Sequence, residues 1–317
     1  GLGTPGPELY LVNQAEVRDV VNSVRAARNI DQAQAGSDYV VWGHSQGGHS
    51  SLWSGHLASD LAPELNLLGV AAAAPAGELA DIMGAQWDTT IGWGIGPEIL
   101  ASWPLVDERL SVEQVAAATG MRTFEQLAEF CVSDKALLAE VLALRAAGGE
   151  LFAIDPLTQP DWNRFLAEQT PPPLPAEMPV FLAQGTADEV VLAWPNAKLQ
   201  ESWCEAGSTL TALWMGGIGH IPAASTAGPA AVAWIADRFE GRPAVRTATY
   251  LRRWPPSHRR RMLRLLSKRP VLPFREVVLP DTATALGHHD RTEPGHDFLA
   301  VLVQSPGLHL DDAHLRT

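Results

Sequence analysis

Six residues near the start of the chain, Gly43-His44-Ser45-Gln46-Gly47-Gly48, restrict its fold more than any other stretch. They fit Gly-x-Ser-x-Gly. The apolar run Asp38–Trp42 before them suits a buried strand, and His49–Leu61 after them is patterned as a helix. A strand that turns straight into a helix must pass through a tight, strained bend. The two glycines of the pattern permit that bend because a Cβ at either place would clash, and the bend lifts Ser45 off the sheet. The helix N-terminus that follows, with the backbone N–H of Gln46, is suited to stabilise an oxyanion that forms when the serine attacks a carbonyl.

The same rhythm continues on both sides. Asn13–Asn29 carries Val17, Val20, Val21 and Val24 near 3.6-residue spacing, which predicts a helix. Leu65–Ala74 reads as a second buried strand, ended by Pro75 and Gly77. Strand, helix and strand in succession predict an α/β fold with a mostly parallel sheet. The rhythm then stops. Residues 78–175 hold helical stretches (Val112–Thr119, Thr123–Val132, Asp134–Ala147), four tryptophans (Trp87, Trp93, Trp103, Trp162) and Pro171–Pro173, with no strand pattern. This is the composition of a helical insertion above a sheet, a cap or lid whose tryptophans pack it or line a pocket. The sheet pattern resumes at Pro179–Ala183, followed by a helix around Pro195–Ala206, a strand at Thr209–Met215 and a closing helix at Ala230–Arg238.

Charge divides the chain at a different place. The total of 23 Lys+Arg and 36 Asp+Glu gives −13. Residues 242–317 contain 13 basic and 7 acidic side chains, which leaves 10 basic and 29 acidic in residues 1–241, so an acidic body of −19 precedes a basic tail of +6. An acidic body opposes nucleic-acid binding. The domain expectation is therefore a core of residues 1–77 and 176–241, a helical cap of residues 78–175, and a basic tail of residues 242–317. In the tail, Val277–Leu279 and Phe298–Val303 are strand-like. The arginine clusters Arg252-Arg253 and Arg259-Arg260-Arg261 read as a solvated segment. His288-His289-Asp290 with His296 lacks the cysteine and rigid framing expected of a metal site, so no metal is expected. Cys131 and Cys204 are too few for a disulfide scaffold; a single bridge or two thiols are both open. The longest apolar run, Leu67–Ala76, is half of the ~20 residues a membrane helix needs. The chain opens on Gly1 without a signal-peptide pattern and reads as a processed protein or a fragment.

A serine at neutral pH needs a base, and the base needs an orienting carboxylate. After a Gly-x-Ser-x-Gly turn the chain order is serine, acid, histidine. Of the histidines in the body, His44, His49 and His56 flank Ser45, so order selects His220, in the glycine loop Gly216–Pro222 after a strand. The acid should follow the preceding strand. Gln184-Gly185-Thr186-Ala187-Asp188-Glu189 supplies Asp188, with the adjacent Glu189 as second choice.

These motifs, together with Gly1-Leu2-Gly3-Thr4-Pro5-Gly6, Ala74-Pro75-Ala76 and the long helical insertion, resemble the secretory lipase family, the lipase-A-like α/β-hydrolases, over residues 1–240. The resemblance implies Ser45 as nucleophile, Asp188 as acid, His220 as base and an oxyanion-hole amide from Gln46. It implies cofactor-free hydrolysis of carboxylic esters, acylglycerols included, by a secreted protein that touches lipid interfaces transiently, with the insertion capping an acyl-chain tunnel. A serine peptidase or amidase of the same fold, and an impaired fragment that only binds apolar ligands, are the alternatives. Against the family pattern, only one helix precedes the Asp38–Trp42 strand. The first strands, and the loop that supplies a second oxyanion donor, have no counterpart, so the chain reads as N-terminally truncated. The nucleophile strand then has an open edge, which the strand-like runs of the tail would cover.

Overall fold

The computed structural model describes residues 8–130 and 135–246, and the backbone of a strand at residues 299–303. Four parallel strands form the sheet: β1 (Asp38–His44), β2 (Asn66–Ala73), β3 (Val180–Gly185) and β4 (Leu210–Met215). A fifth, β5 (Leu299–Val303), runs antiparallel along β1, pairing Leu299 with Gly43 and Val303 with Tyr39, to give the order β4-β3-β2-β1-β5. The outer edge of β1 is thus paired by part of the Phe298–Val303 run. Val277–Leu279, the arginine clusters, the histidine group at 288–296 and Cys131 lie outside the described residues.

Side chains alternate across the sheet with period two, which decides where each helix packs. Val40 and Trp42 of β1, Ala71 and Ala73 of β2, and Phe181 and Ala183 of β3 face α9 (Ala223–Phe239). Tyr39 and Val41 face α1 (Asn13–Arg28) and α2 (Gln46–Leu61), whose Val17, Val20, Val21, Val24 and Trp53 bury against them. Val70, Ala72, Val180 and Leu182 face Leu199 and Trp203 of α8 (Ala193–Ala206). Sheets buried on both faces, with helices as crossovers, are how parallel strands hide their apolar sides.

Between β2 and β3 the chain forms α3 (Leu79–Gln86), α4 (Thr90–Ser102), α5 (Gly120–Ala128), α6 (Lys135–Ala146) and α7 (Pro160–Gln169). These helices share a separate apolar cluster built on Trp93, Leu100, Trp103, Leu127, Trp162 and Leu166, which Leu11 and Val12 also enter. No strand occurs there among the described residues; an isolated bridge joins Ala116 to Phe152. That bridge corrects the expectation of a helix at Val112–Thr119. Only a 3-10 turn forms at Val112–Gln114, after which Ala117 N–H donates to Leu151 O and Ala153 N–H to Val115 O. Pairing across the loop there outweighs local helix propensity. α9 also begins earlier than the expected Ala230, at Ala223, and carries Pro229 in its interior.

Candidate active site

The bend between β1 and α2 is strained as its sequence requires. Ser45 sits at φ 57°, ψ −116°, a conformation costly for a residue with a Cβ. The crowding that enforces it is local. A Cβ on Gly43 would lie 2.0 Å from Gly47 O, and one on Gly48 would lie 2.8 Å from Pro75, after β2. Ser45 N–H donates to Ala73 O, and Ala76 N–H donates to Ser45 O, so both strands hold the turn. Beyond it α2 starts at Gln46, whose amide belongs to the first turn of N–H groups that an α-helix leaves without intrahelical partners.

The structure brings Ser45, Asp188 and His220 together. Ser45 Oγ–H donates to His220 Nε2 at 2.9 Å, and His220 Nδ1–H donates to Asp188 Oδ2 at 2.9 Å. All three are buried. Asp188 Oδ1 accepts the backbone N–H groups of Val190 and Val191 at 3.0 and 2.9 Å, which fixes the carboxylate plane. The loop that carries Asp188 is pressed against the His220 loop, since a Cβ on Gly185 would lie 2.2 Å from Ile218 O. Glu189, the second-choice acid, accepts instead from the His220 backbone N–H at 3.3 Å. The arrangement can pass the serine proton to Nε2 while Asp188 holds the imidazole in the Nδ1–H tautomer. The Gln46 side chain points elsewhere, donating from Nε2 to Glu16 Oε1 at 3.1 Å, so any role for Gln46 at the reacting carbonyl lies with its backbone N–H.

His44 is a neighbour that chain order does not reveal. Its ring lies 4.6 Å from that of His220, centroid to centroid, and its Nε2–H donates to His220 O at 3.0 Å. Burial lowers its pKa from 6.5 to about 4, and the nearby His220 adds to the drop. In the unfolded chain the imidazole titrates near 6.5, so between pH 6.5 and 4 the unfolded state takes up a proton that the folded state refuses. The stability from this group is full above pH 6.5 and is lost as pH falls toward 4, by roughly 3 kcal/mol in all. Melting curves from pH 7 to 4 should therefore fall less steeply for His44→Gln than for the unsubstituted chain; parallel curves would refute the assignment.

Ser45 opens into a cavity of about 690 Å³, counted out to its open side. Its wall is mostly α3 and α4: Leu79, Ile82, Met83, Ile91, Ile95 and Ile99, with Trp87 and Trp103. Ser45 and Gln86 are among its few polar groups. Gln86 is turned by donating from Nε2 to the carbonyls of Glu189 and Val190. Two of the four tryptophans thus reach the cavity, whereas Trp93 and Trp162 are buried in the helical cluster.

The family model for secretory lipases matches residues 2–247. The chain belongs to the secretory lipase family. Lipase 5 of Candida albicans is 27% identical over 265 residues, 78% of this chain and 56% of that relative. Secreted triacylglycerol lipase LIP4 of Malassezia globosa is 24% identical over 72% of this chain and 52% of that relative. A probable inactive lipase of Mycobacterium tuberculosis is 23% identical over 71% and 51%. The chain thus spans about half the length of the curated relatives it matches. Among solved structures, Candida antarctica lipase A superposes with a TM-score of 0.60 at 19% identity, covering 76% of this chain and 58% of that one. The rice cell wall degrading esterase LipA of Xanthomonas oryzae gives 0.55 at 16% identity, covering 74% and 66%. These likenesses establish the α/β-hydrolase fold for this secretory lipase family member. No helix among its described residues is long and apolar enough to cross a membrane.

Proposed function

We propose that the chain is a serine carboxylic-ester hydrolase of the lipase or esterase type. The observation that carries this is the unbroken line Ser45 Oγ, His220 Nε2, His220 Nδ1, Asp188 Oδ2 at the mouth of an apolar cavity. His220 takes the Ser45 proton as Oγ attacks the acyl carbonyl; Asp188 stabilises the imidazolium. His220 then returns the proton to the leaving alcohol. A water activated by the same imidazole releases the acid from the acyl-serine. The Gln46 N–H, at the head of α2, is the oxyanion donor. Helices α3–α7, residues 78–175, act as a cap over the sheet-bearing core (1–77 and 176–241), with residues 242–317 as a basic tail. The acyl chain of a carboxylic ester, acylglycerols included, occupies the α3–α4 wall, and no cofactor enters any step. Secretion and transient contact with lipid interfaces fit the same reading.

The peptidase or amidase alternative is separated by leaving group: a p-nitrophenyl ester and the matched anilide of the same acid should differ in favour of the ester, and a preference for the anilide would reverse the reading. The binding-only alternative is separated by a fluorophosphonate probe, which labels Ser45 only where His220 activates it. The acyl site itself is tested on α4. Ile95→Trp fills the cavity wall and should lower kcat/KM for a dodecanoate ester about tenfold, as expected from excluding roughly two methylenes at ~0.8 kcal/mol each. The acetate ester should stay within about twofold. Equal losses on both esters would place the acyl chain elsewhere.

A further inference from the structure

Asp188 is held by more than His220 and two backbone amides. Gln184, on β3 and buried, donates from Nε2 to Asp188 Oδ2 at 3.2 Å, and shares that nitrogen with the carbonyls of Gly185 and Val191. Gln184 Oε1 accepts from Asn196 Nδ2 at 2.6 Å. Asn196, in the first turn of α8, has 0% exposure. Its Nδ2 also donates to Pro75 O at 3.1 Å. Pro75 packs on Gly48 in the first turn of α2, and the next residue, Ala76, donates its N–H to Ser45 O. A polar path therefore runs from the Ser45 backbone to the Asp188 carboxylate without passing through His220.

The direction of that path is fixed by chemistry. Pro75 O can only accept, so the Asn196 atom facing it is the amide nitrogen. With Nδ2 as donor, the Gln184 atom it meets is Oε1, and the Gln184 nitrogen is turned toward Asp188. Asn196 Oδ1 has no partner and is buried, so the side chain is held by its two donated bonds. Deleting the Asn196 amide would leave Gln184 Oε1 buried without its donor, and the Gln184 amide would then be held at its nitrogen alone.

We infer that Asn196, acting through Gln184, is a positioning residue that sets the Asp188 carboxylate in register with the Ser45 turn. The inference rests on the assignment of Ser45, His220 and Asp188 as the reacting triad. Asn196 touches neither the cavity nor His220 in any hydrogen bond described, so its loss should act on turnover rather than on substrate binding.

Asn196→Leu, near-isosteric and without donors, tests this with a short-chain p-nitrophenyl ester. The expected result is a kcat lowered about 10–100-fold with KM within about twofold. The split between a lowered kcat and a held KM is the readout that a merely structural role would not give. Ser54→Ala is the structural comparison: it removes a buried bond to Ser50 O in α2, away from the triad, and should leave kcat unchanged whatever it does to Tm. Wild-type kcat in folded Asn196→Leu would overturn the inference, as would a loss that merely follows Tm or that falls on KM. Should Asn196→Leu fail to fold, Gln184→Met carries the test with the same expected and overturning results. Ser45→Ala and His220→Ala are assayed alongside. If they abolish activity while the amide variants match wild type, only this inference falls; if they retain activity, the triad assignment falls first.

Discussion

Ser45→Ala should lose ester turnover by about 10⁴-fold or more relative to the unsubstituted chain, and should lose fluorophosphonate labelling entirely. The size follows from the site. In the proposed mechanism the Ser45 hydroxyl forms the acyl bond and passes its proton to His220, whose Nε2 lies 2.9 Å away. Members of such a relay act as a unit, so removing one removes most of what all three achieve. The substitution should leave the fold intact, because one hydrogen bond is lost, worth about 1 kcal/mol net. Turnover of a p-nitrophenyl ester, labelling and Tm measured on one preparation separate the outcomes. A folded Ser45→Ala protein with undiminished turnover would remove the serine from the mechanism.

The largest effect on stability is expected at Gly43. A Cβ there would lie 2.0 Å from Gly47 O, 2.2 Å from Gly47 C and 2.8 Å from Ser51 Oγ. Two of these three atoms are backbone, and Gly47 O also accepts the Ser51 hydroxyl, so neither partner is a side chain that can swing aside. Gly43→Ala must separate β1 from the head of α2, at a cost of about 3 kcal/mol or more. For a domain of this size that corresponds to roughly 6–12 °C in Tm, with loss of labelling because the turn bearing Ser45 opens. Gly94→Ala is the control. Its nearest atom would be Leu137 Cδ2 at 4.0 Å, and it lies within α4, so helix propensity predicts a gain of about 0.5–1 kcal/mol. Similar melting temperatures for the two variants would show that the glycine at the turn is dispensable.

The proposed reacting residues are the most legible part of the sequence. Gly-x-Ser-x-Gly between a strand and a helix marks a tight bend, and the bend marks Ser45; a Cβ has no room at Gly43 or at the following Gly48. The order serine, acid, histidine then leaves Asp188 and His220. The cavity wall is far less legible. α4 reads Thr-Ile-Gly-Trp-Gly-Ile-Gly-Pro, and three glycines with a proline argue against a helix on propensity alone. Packing overrides it: a Cβ on Gly92 would meet Gln86 O at 2.1 Å, and one on Gly96 would meet the Phe152 ring at 2.7 Å. Close approach needs glycine at both places, and for Gly96 a local window does not contain the partner, Phe152. The amide path behind Asp188 is hidden for the same reason, since Asn196 meets Pro75 across 121 residues of sequence. His44 is a variable position of the motif by pattern alone, and only the fold sets its ring against that of His220.

The separate apolar cluster of α3–α7 has a thermodynamic consequence. Most contacts that hold α3 and α4 lie among the helices themselves, and the segment from Glu8 to Ala15 joins the cluster to the core through Leu9, Leu11 and Val12 and through hydrogen bonds of Glu8 and Tyr10 to Ser102 and Trp103. Groups of elements with their own core behave as cooperative units that open at lower free energy than the whole molecule. The amides of α3 and α4 are therefore expected to exchange with solvent faster than those of β1–β4, and equal rates would show one cooperative unit. On that expectation, substitutions within the helical cluster and substitutions within the sheet would change different free energies, one of local opening and one of global unfolding.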